Sequence, residues 1–150
     1  MSPAQVVVIG AGPGGLAAAA ALGARGVQAL VVDRDSQVGS SWRRHYERLH
    51  LHTPRRWSGL PGYPIPRRFG RWVARADVVA YLEEYVAHHG IQLRLGTAVT
   101  RIERAGAAAS HRADAAAGDT AANSARWLVH RDDGPPLAAE HVIVATGYNH

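Results

Sequence analysis

The residues best suited to chemistry lie near the start, where Gly10-Ala11-Gly12-Pro13-Gly14-Gly15 has the spacing G-x-G-x-x-G. Each glycine has a task in that spacing. Gly10 permits a tight turn out of a strand, Gly12 lets a pyrophosphate approach the backbone, and Gly15 lets the next helix pack close to the strand. The first N–H groups of such a helix, with its dipole, then face an anion. Asp33 stands 18 residues after Gly15, where a carboxylate can accept hydrogen bonds from ribose hydroxyls. Alone the motif is weak, because an ordinary glycine turn in an α/β protein reads the same way. Its context is what points to a dinucleotide: a strand before it, a helix after it, and an acid at the end of the next strand.

The elements that must hold these residues are readable from composition. Gln5 to Ile9 is a valine-rich apolar run and reads as a buried strand. Leu16 to Arg25 is alanine-rich and helical, with Gly26 as its stop. Val27 to Val32 reads as a second buried strand, so the three elements form a parallel βαβ unit. Residues 36–75 carry Pro54, Pro61, Pro64 and Pro66 among glycines, and read as a long excursion with little regular structure. Ala76 to His89 repeats apolar residues at three and four and reads as an amphipathic helix ended by Gly90. Strands are expected over Ile91–Leu95, Ala98–Arg104, Trp127–His130 and His141–Ala145, with a turn over Asp132–Pro136. Residues 105–125 are alanine-rich with little apolar bulk, and read as a mobile hairpin tip.

Composition bounds the rest. The 150 residues suffice for one domain with a real core. Cysteine is absent, so disulfides and thiolate metal sites are excluded, and redox chemistry requires a bound cofactor. No run of 18 or more apolar residues exists, and the N-terminal apolar run has no basic segment before it, so a cytoplasmic location is expected. The net charge of +5 is uneven: Arg43, Arg44, Arg48, Arg55, Arg56, Arg67, Arg68, Arg71 and Arg75 fall in one stretch. A patch of this kind attracts phosphates. It lacks any nucleic-acid-binding pattern, and its prolines disfavour a groove-reading helix, so it reads as a solvated face drawing in an anionic cofactor or substrate. His50 and His52 would share a side of an extended segment, but no third ligand has a defined spacing and no H-E-x-x-H occurs. No metal is therefore expected. A nucleophile elbow is absent too. Trp42 in isolation would be a core tryptophan; beside Gly39 and the arginine-rich stretch, cofactor contact is the better reading.

Val142-Ile143-Val144-Ala145-Thr146-Gly147 is an apolar strand ending in Ala-Thr-Gly, and here the chain resembles the flavoproteins with two dinucleotide domains. Val38-Gly39-Ser40-Ser41-Trp42 resembles the G-G-x-W segment of flavin-dependent monooxygenases. Tyr46 to Pro54, Gly59-Leu60-Pro61 and Tyr63 to Pro66 are similar to the plant YUCCA and bacterial flavin-containing monooxygenase group. The chain departs at Ser40, where the group often has glycine, and at Asp33, where glutamate is commoner. The resemblance implies a Rossmann-like FAD/NAD(P)-binding α/β domain, a parallel sheet with a small β-meander. It implies that Gly10, Gly12, Pro13, Gly14 and Gly15, with Ala11 among them, hold the FAD pyrophosphate. Asp33 would hold the adenosine ribose, with Arg34 beside the adenine and Val99 touching it. Gly39, Ser41 and Trp42 would lie along the flavin, with His52 near its reactive face, and Ala145, Thr146 and Gly147 would close over the cofactor.

In that group NADPH reduces FAD, and the reduced flavin takes O2 to give a C4a-hydroperoxide that passes one oxygen to a small organic substrate. The protein positions the cofactor and excludes water, so no acid–base dyad is expected. Two dinucleotide domains need about twice this length, and no second G-x-G-x-x-G occurs. The expectation is therefore an incomplete FAD-binding domain over 1–150, dependent on a partner chain or a missing C-terminal half that would carry the NADPH site. A non-catalytic nucleotide-binding remnant, or half of another FAD/NAD(P)-dependent oxidoreductase, remains open. A small NAD-dependent dehydrogenase is disfavoured, since the chain has no lysine and hence no Tyr-x-x-x-Lys pair.

Overall fold

The computed structural model describes residues 4–106 and 125–147. Strand β1 (Ala4–Ile9) leads through helix α1 (Pro13–Gly23) to strand β2 (Ala29–Val32). Two one-turn helices, α2 (Ser40–Arg43) and α3 (Arg55–Ser58), and a 3-10 turn (Arg67–Phe69) precede helix α4 (Arg75–His89). Strands β3 (Gln92–Arg94), β4 (Val99–Arg104), β5 (Trp127–Arg131) and β6 (Gly134–Val144) follow. They form one six-stranded sheet in the order β3-β2-β1-β6-β5-β4. β1 is parallel to both β2 and β6, and β2 is parallel to β3. β4, β5 and β6 run antiparallel, which is the expected meander.

Period-two alternation divides the core. Val6 and Val8 of β1 pack with Val31, Ala11 and Ala19 beneath α1. Val7 and Ile9 point to the opposite face and pack with Val32, Val129 and Ala139. A third cluster joins Leu16 and Ala20 of α1 to Tyr81, Leu82 and Tyr85 of α4, with Val38, Ile65 and Val73 from the intervening segment. At about 25 cal/mol per Å2, each fully buried Val or Leu here contributes roughly 1.5–3 kcal/mol.

The last strand departs from the sequence expectation. A turn over Asp132–Pro136 and a buried strand over His141–Ala145 were expected, yet β6 starts at Gly134 and runs for 11 residues. Its first half pairs with β5 and its second half with β1, Ala139 pairing with both. Pro135 and Pro136 are tolerated because they lie where the β5–β6 register shifts, before β6 reaches β1. The strand is also only partly buried, with Val144 62% exposed. Helix α1 begins earlier than Leu16 because Pro13, with its fixed φ, suits the first helical turn. The expected hairpin tip over 105–125 lies, apart from its ends, outside the described residues; at its base the Ala105 N–H donates to the Arg126 carbonyl at 3.0 Å.

Candidate functional site

A groove of about 770 Å3 opens at the carboxyl ends of β1, β2 and β6, where ligands of open α/β sheets bind. Its floor is the glycine turn. The Gly10 N–H donates to the Val32 carbonyl at 2.8 Å, and the Ala145 N–H donates to the Ile9 carbonyl at 2.8 Å, tying the three strand ends together. Gly10 has φ +115°, and a Cβ there would lie 2.3 Å from the Ala145 carbonyl oxygen. A Cβ at Gly15 would lie 1.9 Å from the Gly10 carbonyl oxygen. At these two positions the fold itself needs glycine. Gly12 and Gly14 differ, since a Cβ at either would meet nothing within 4 Å. Their bareness leaves room above the turn.

That room faces donors. The first α1 bond runs from the Leu16 N–H to the Gly12 carbonyl, 3.0 Å, so the N–H groups of Gly14 and Gly15 precede the helical ladder. No acidic residue occupies the first turn of α1 to compensate the dipole. Asp33 is fixed against the same turn. Its Oδ2 accepts the Ala11 N–H at 2.6 Å and its Oδ1 accepts the Asp35 N–H at 2.8 Å. A carboxylate offers about four lone-pair positions, so Asp33 retains capacity for ribose hydroxyls.

Two devices set the walls. Gly39 caps α2 with φ +69°, and a Cβ there would sit 3.2 Å from Leu82 Cδ1, so α2 lies close on α4. Arg43 pairs with Glu83 of α4, and Arg75 Nη1 donates to the Arg43 carbonyl at 2.6 Å and the His45 carbonyl at 3.3 Å. These contacts hold Trp42 half-buried at the groove, its ring 5.7 Å from that of His45. On the other side Thr97, 1% exposed, donates to Asp133 Oδ2 at 2.9 Å, and the Ala98 N–H donates to Asp132 Oδ1 at 2.9 Å. This fixes Ala98 and Val99 as wall. Desolvation alone would raise the Asp133 carboxyl, but the Thr97 hydroxyl and the Arg131 guanidinium outweigh it and hold it below the ordinary carboxylate range.

The structure thus gathers Gly10, Ala11, Gly12, Pro13, Gly14, Asp33, Arg34, Ser41, Trp42, Val99, Ala145, Thr146 and Gly147 around one groove. Gly15 and Gly39 lie behind its walls and shape it. His52 is exposed and lines a different, open depression with His50, Leu51, Arg71 and Trp72. Sequence reasoning missed Thr97, Asp133 and Arg75, whose partners lie 30 or more residues away and leave no local signal. It also missed Tyr81 and, as an anchor, Tyr85, whose four-residue spacing on an apolar helix face is a usable hint that two hydroxyls need partners.

The pyridine nucleotide-disulphide oxidoreductase family matches residues 7–124. The chain belongs to that family. Among curated relatives it is 41% identical over 144 residues to indole-3-pyruvate monooxygenase YUCCA1 of Oryza sativa subsp. japonica, covering 95% of this chain and 32% of that protein. Among solved structures, the flavin-containing monooxygenase from Stenotrophomonas maltophilia superposes with a TM-score of 0.79 at 32% identity, over 98% of this chain and 39% of that one. The bacillithiol disulfide reductase from Staphylococcus aureus, at 17% identity and TM-score 0.78 over 99% of this chain and 39% of that one, shares the fold. The chain spans about a third of the length of the curated relatives it matches. Among the described residues, no helix is long and apolar enough to cross a membrane.

Proposed function

We propose that this chain is the FAD-binding portion of an NADPH-dependent flavin monooxygenase, and that its 150 residues do not turn over alone. The observation that carries the reading is the glycine-turn groove: open space over Gly12 and Gly14, helix N–H donors facing it, and Asp33 locked at its edge. These features fit a dinucleotide. Gly10 to Gly15 would hold the pyrophosphate, Asp33 the adenosine ribose, and Val99 and Arg34 the adenine end. Ser41, Trp42 and the Ala145–Gly147 segment would border the flavin. When bound and reduced, FAD supplies the oxygen transfer to a small organic substrate. The chain's own part is to grip the phosphates, orient the ring system and keep water from it. The NADPH site would belong to the two thirds of the relatives' length that this chain does not span, supplied by a further segment or a partner chain.

The test is to add FAD to the purified chain and follow flavin absorbance through gel filtration. Flavin should co-elute with the protein. NADPH should not be consumed under air. Loss of flavin from a chain folded by circular dichroism would sink the cofactor assignment, and steady NADPH oxidation would sink the claim that the chain does not turn over alone. Flavin bound without any reaction, even when a homologous remaining segment is supplied in trans, would favour a nucleotide-binding remnant.

A further inference from the structure

A second cavity, of about 450 Å3, shares no residue with the glycine-turn groove and is lined by Pro54, Arg55, Arg56, Arg67, Gly70 and Arg71. We propose that it is a binding site for the phosphate or pyrophosphate group of a small ligand, held by Arg55, Arg56, Arg67 and Arg71. This goes beyond the FAD reading and does not depend on it.

The backbone, not chance side-chain placement, brings these arginines together. The Leu51 N–H donates to the Val73 carbonyl and the Arg75 N–H to the Leu49 carbonyl, both at 2.8 Å, and His50 bridges Ala74 in antiparallel fashion. The Arg55 N–H donates to the Arg71 carbonyl at 2.9 Å, which extends the pairing to the cavity. Gly70, at φ +73°, turns the chain back so that Arg67 faces the same space. Two arms of the chain are thereby locked with cationic residues on both.

Among the described residues, none of the four has a carboxylate partner. The ion pairs there use Arg43, Arg44, Arg68, Arg101, His130 and Arg131. Glu84 of α4 is taken by the neighbouring Arg68. Four like charges around one small cavity repel each other, and an anion with concentrated charge relieves that repulsion. Guanidinium forks match phosphate oxygens in pairs. Arg56 and Arg71 lean on the exposed rings of Trp57 and Trp72, each 5.5 Å from a ring centroid, which restricts both side chains without neutralising them. The cavity is bounded by Pro54 and Gly70 and is compact, which suits a small ligand better than the extended track of a nucleic acid.

The probe is pyrophosphate, titrated calorimetrically into the full chain at low ionic strength, with inorganic phosphate as a second ligand. The glycine turn is itself open to the probe, so this cavity's binding is the saturable site that persists when Gly12→Val blocks the turn. Arg55→Gln with Arg67→Gln should weaken it on the order of a hundredfold, about tenfold per arginine. A charge-matched control, Arg25→Gln with Arg126→Gln, should change it less than about threefold. Gly12→Val should leave it intact, which separates this cavity from the glycine turn and keeps its outcome independent of the FAD assignment. Arg67→Lys retains the charge and should still weaken binding, so a fork geometry is tested without risk to folding. Free phosphate binding as tightly as pyrophosphate would assign a single-phosphate ligand; tighter pyrophosphate, a diphosphate-bearing one. The proposal fails if the control weakens binding as much as the Arg55/Arg67 variant does, if Gly12→Val abolishes binding, or if an oligonucleotide binds these arginines far more tightly than pyrophosphate.

Discussion

The glycine-turn groove and the segment over residues 36–75 sit on the same scaffold but are held by different kinds of bond. The groove is closed by main-chain hydrogen bonds between neighbouring strand ends, from Gly10 to Val32 and from Ala145 to Ile9. The segment pairs its own arms through the main chain, but its stretch over residues 60–63 is fastened to α4 by two tyrosine hydroxyls. Tyr81 Oη accepts the Leu60 N–H at 2.7 Å and donates to the Tyr63 carbonyl at 2.6 Å, while Tyr85 Oη donates to the Pro61 carbonyl at 2.7 Å. Both rings are fully buried, at 2% and 0% exposure. Backbone closure tolerates many side chains but demands glycine at particular points. Side-chain closure tolerates an irregular backbone but demands particular tyrosines. Mutations should therefore act by different routes in the two regions.

The largest effect is expected inside the glycine turn. Gly15→Ala places a Cβ 1.9 Å from the Gly10 carbonyl oxygen, so α1 must move off β1. A loss of roughly 3 kcal/mol or more in urea unfolding is expected; unchanged stability would mean that the approach relaxes freely. Gly12→Val separates ligand space from fold space in the same turn. Gly12 has φ −82° and ψ 179°, an extended conformation open to any residue. Its stability cost should stay near 1 kcal/mol, the penalty of a poor N-cap. FAD affinity should fall on the order of a hundredfold, the equivalent of about two charge-assisted bonds. Equal FAD affinity in Gly12→Val and the parent chain would leave the turn with a structural role alone.

The same contrast explains what was legible in the sequence. The βαβ unit and its turn were readable because hydrophobic runs, glycine spacing and Asp33 all act within 30 residues of one another. The meander was readable as strands, but not the length of β6, since proline argues against a strand unless a register shift places it outside the ladder. In the groove, the residues lying directly after strand ends were legible. Thr97 with Asp133, and Arg75 with the end of α2, were not, because only the folded chain brings them together. The arginine cluster was visible as charge, but its division into paired and unpaired members follows from which carboxylates α4 and the turn after β2 present.

A smaller effect is expected at the tyrosine anchors. Tyr81→Phe keeps the ring and removes the hydroxyl, leaving the Leu60 N–H and the Tyr63 carbonyl without that partner. The expected cost is about 1–3 kcal/mol. Tyr85→Phe removes one bond, to Pro61, and should cost about 1 kcal/mol. Hydrogen exchange at the Leu60 amide should quicken in Tyr81→Phe while the β1 amides stay protected. Uniform loss of protection would mean that the segment and the sheet open together, and the two-region contrast would collapse.

The smallest expected effect is a pH dependence confined to the anchored segment. His89 ends α4 against the Tyr85 ring, 4.4 Å between centroids, and a Cβ at Gly62 would lie 2.8 Å from its Cε1. Its Nε2 is buried with no hydrogen-bond partner among the described residues. Burial, and secondarily the neighbouring charge of His88, push the His89 imidazole below its ordinary 6.5. The folded state thus favours the neutral ring, and the unfolded chain takes up a proton first as pH falls. The stability tied to His89 is complete above the unfolded value and is lost as pH drops from there through the lowered folded value. Melting midpoints should therefore decline below about pH 6.5, and His89→Phe, which keeps an aromatic ring beneath Gly62, should flatten that part of the decline. An identical decline in His89→Phe would assign the acid sensitivity to other groups and leave the segment's anchor indifferent to pH.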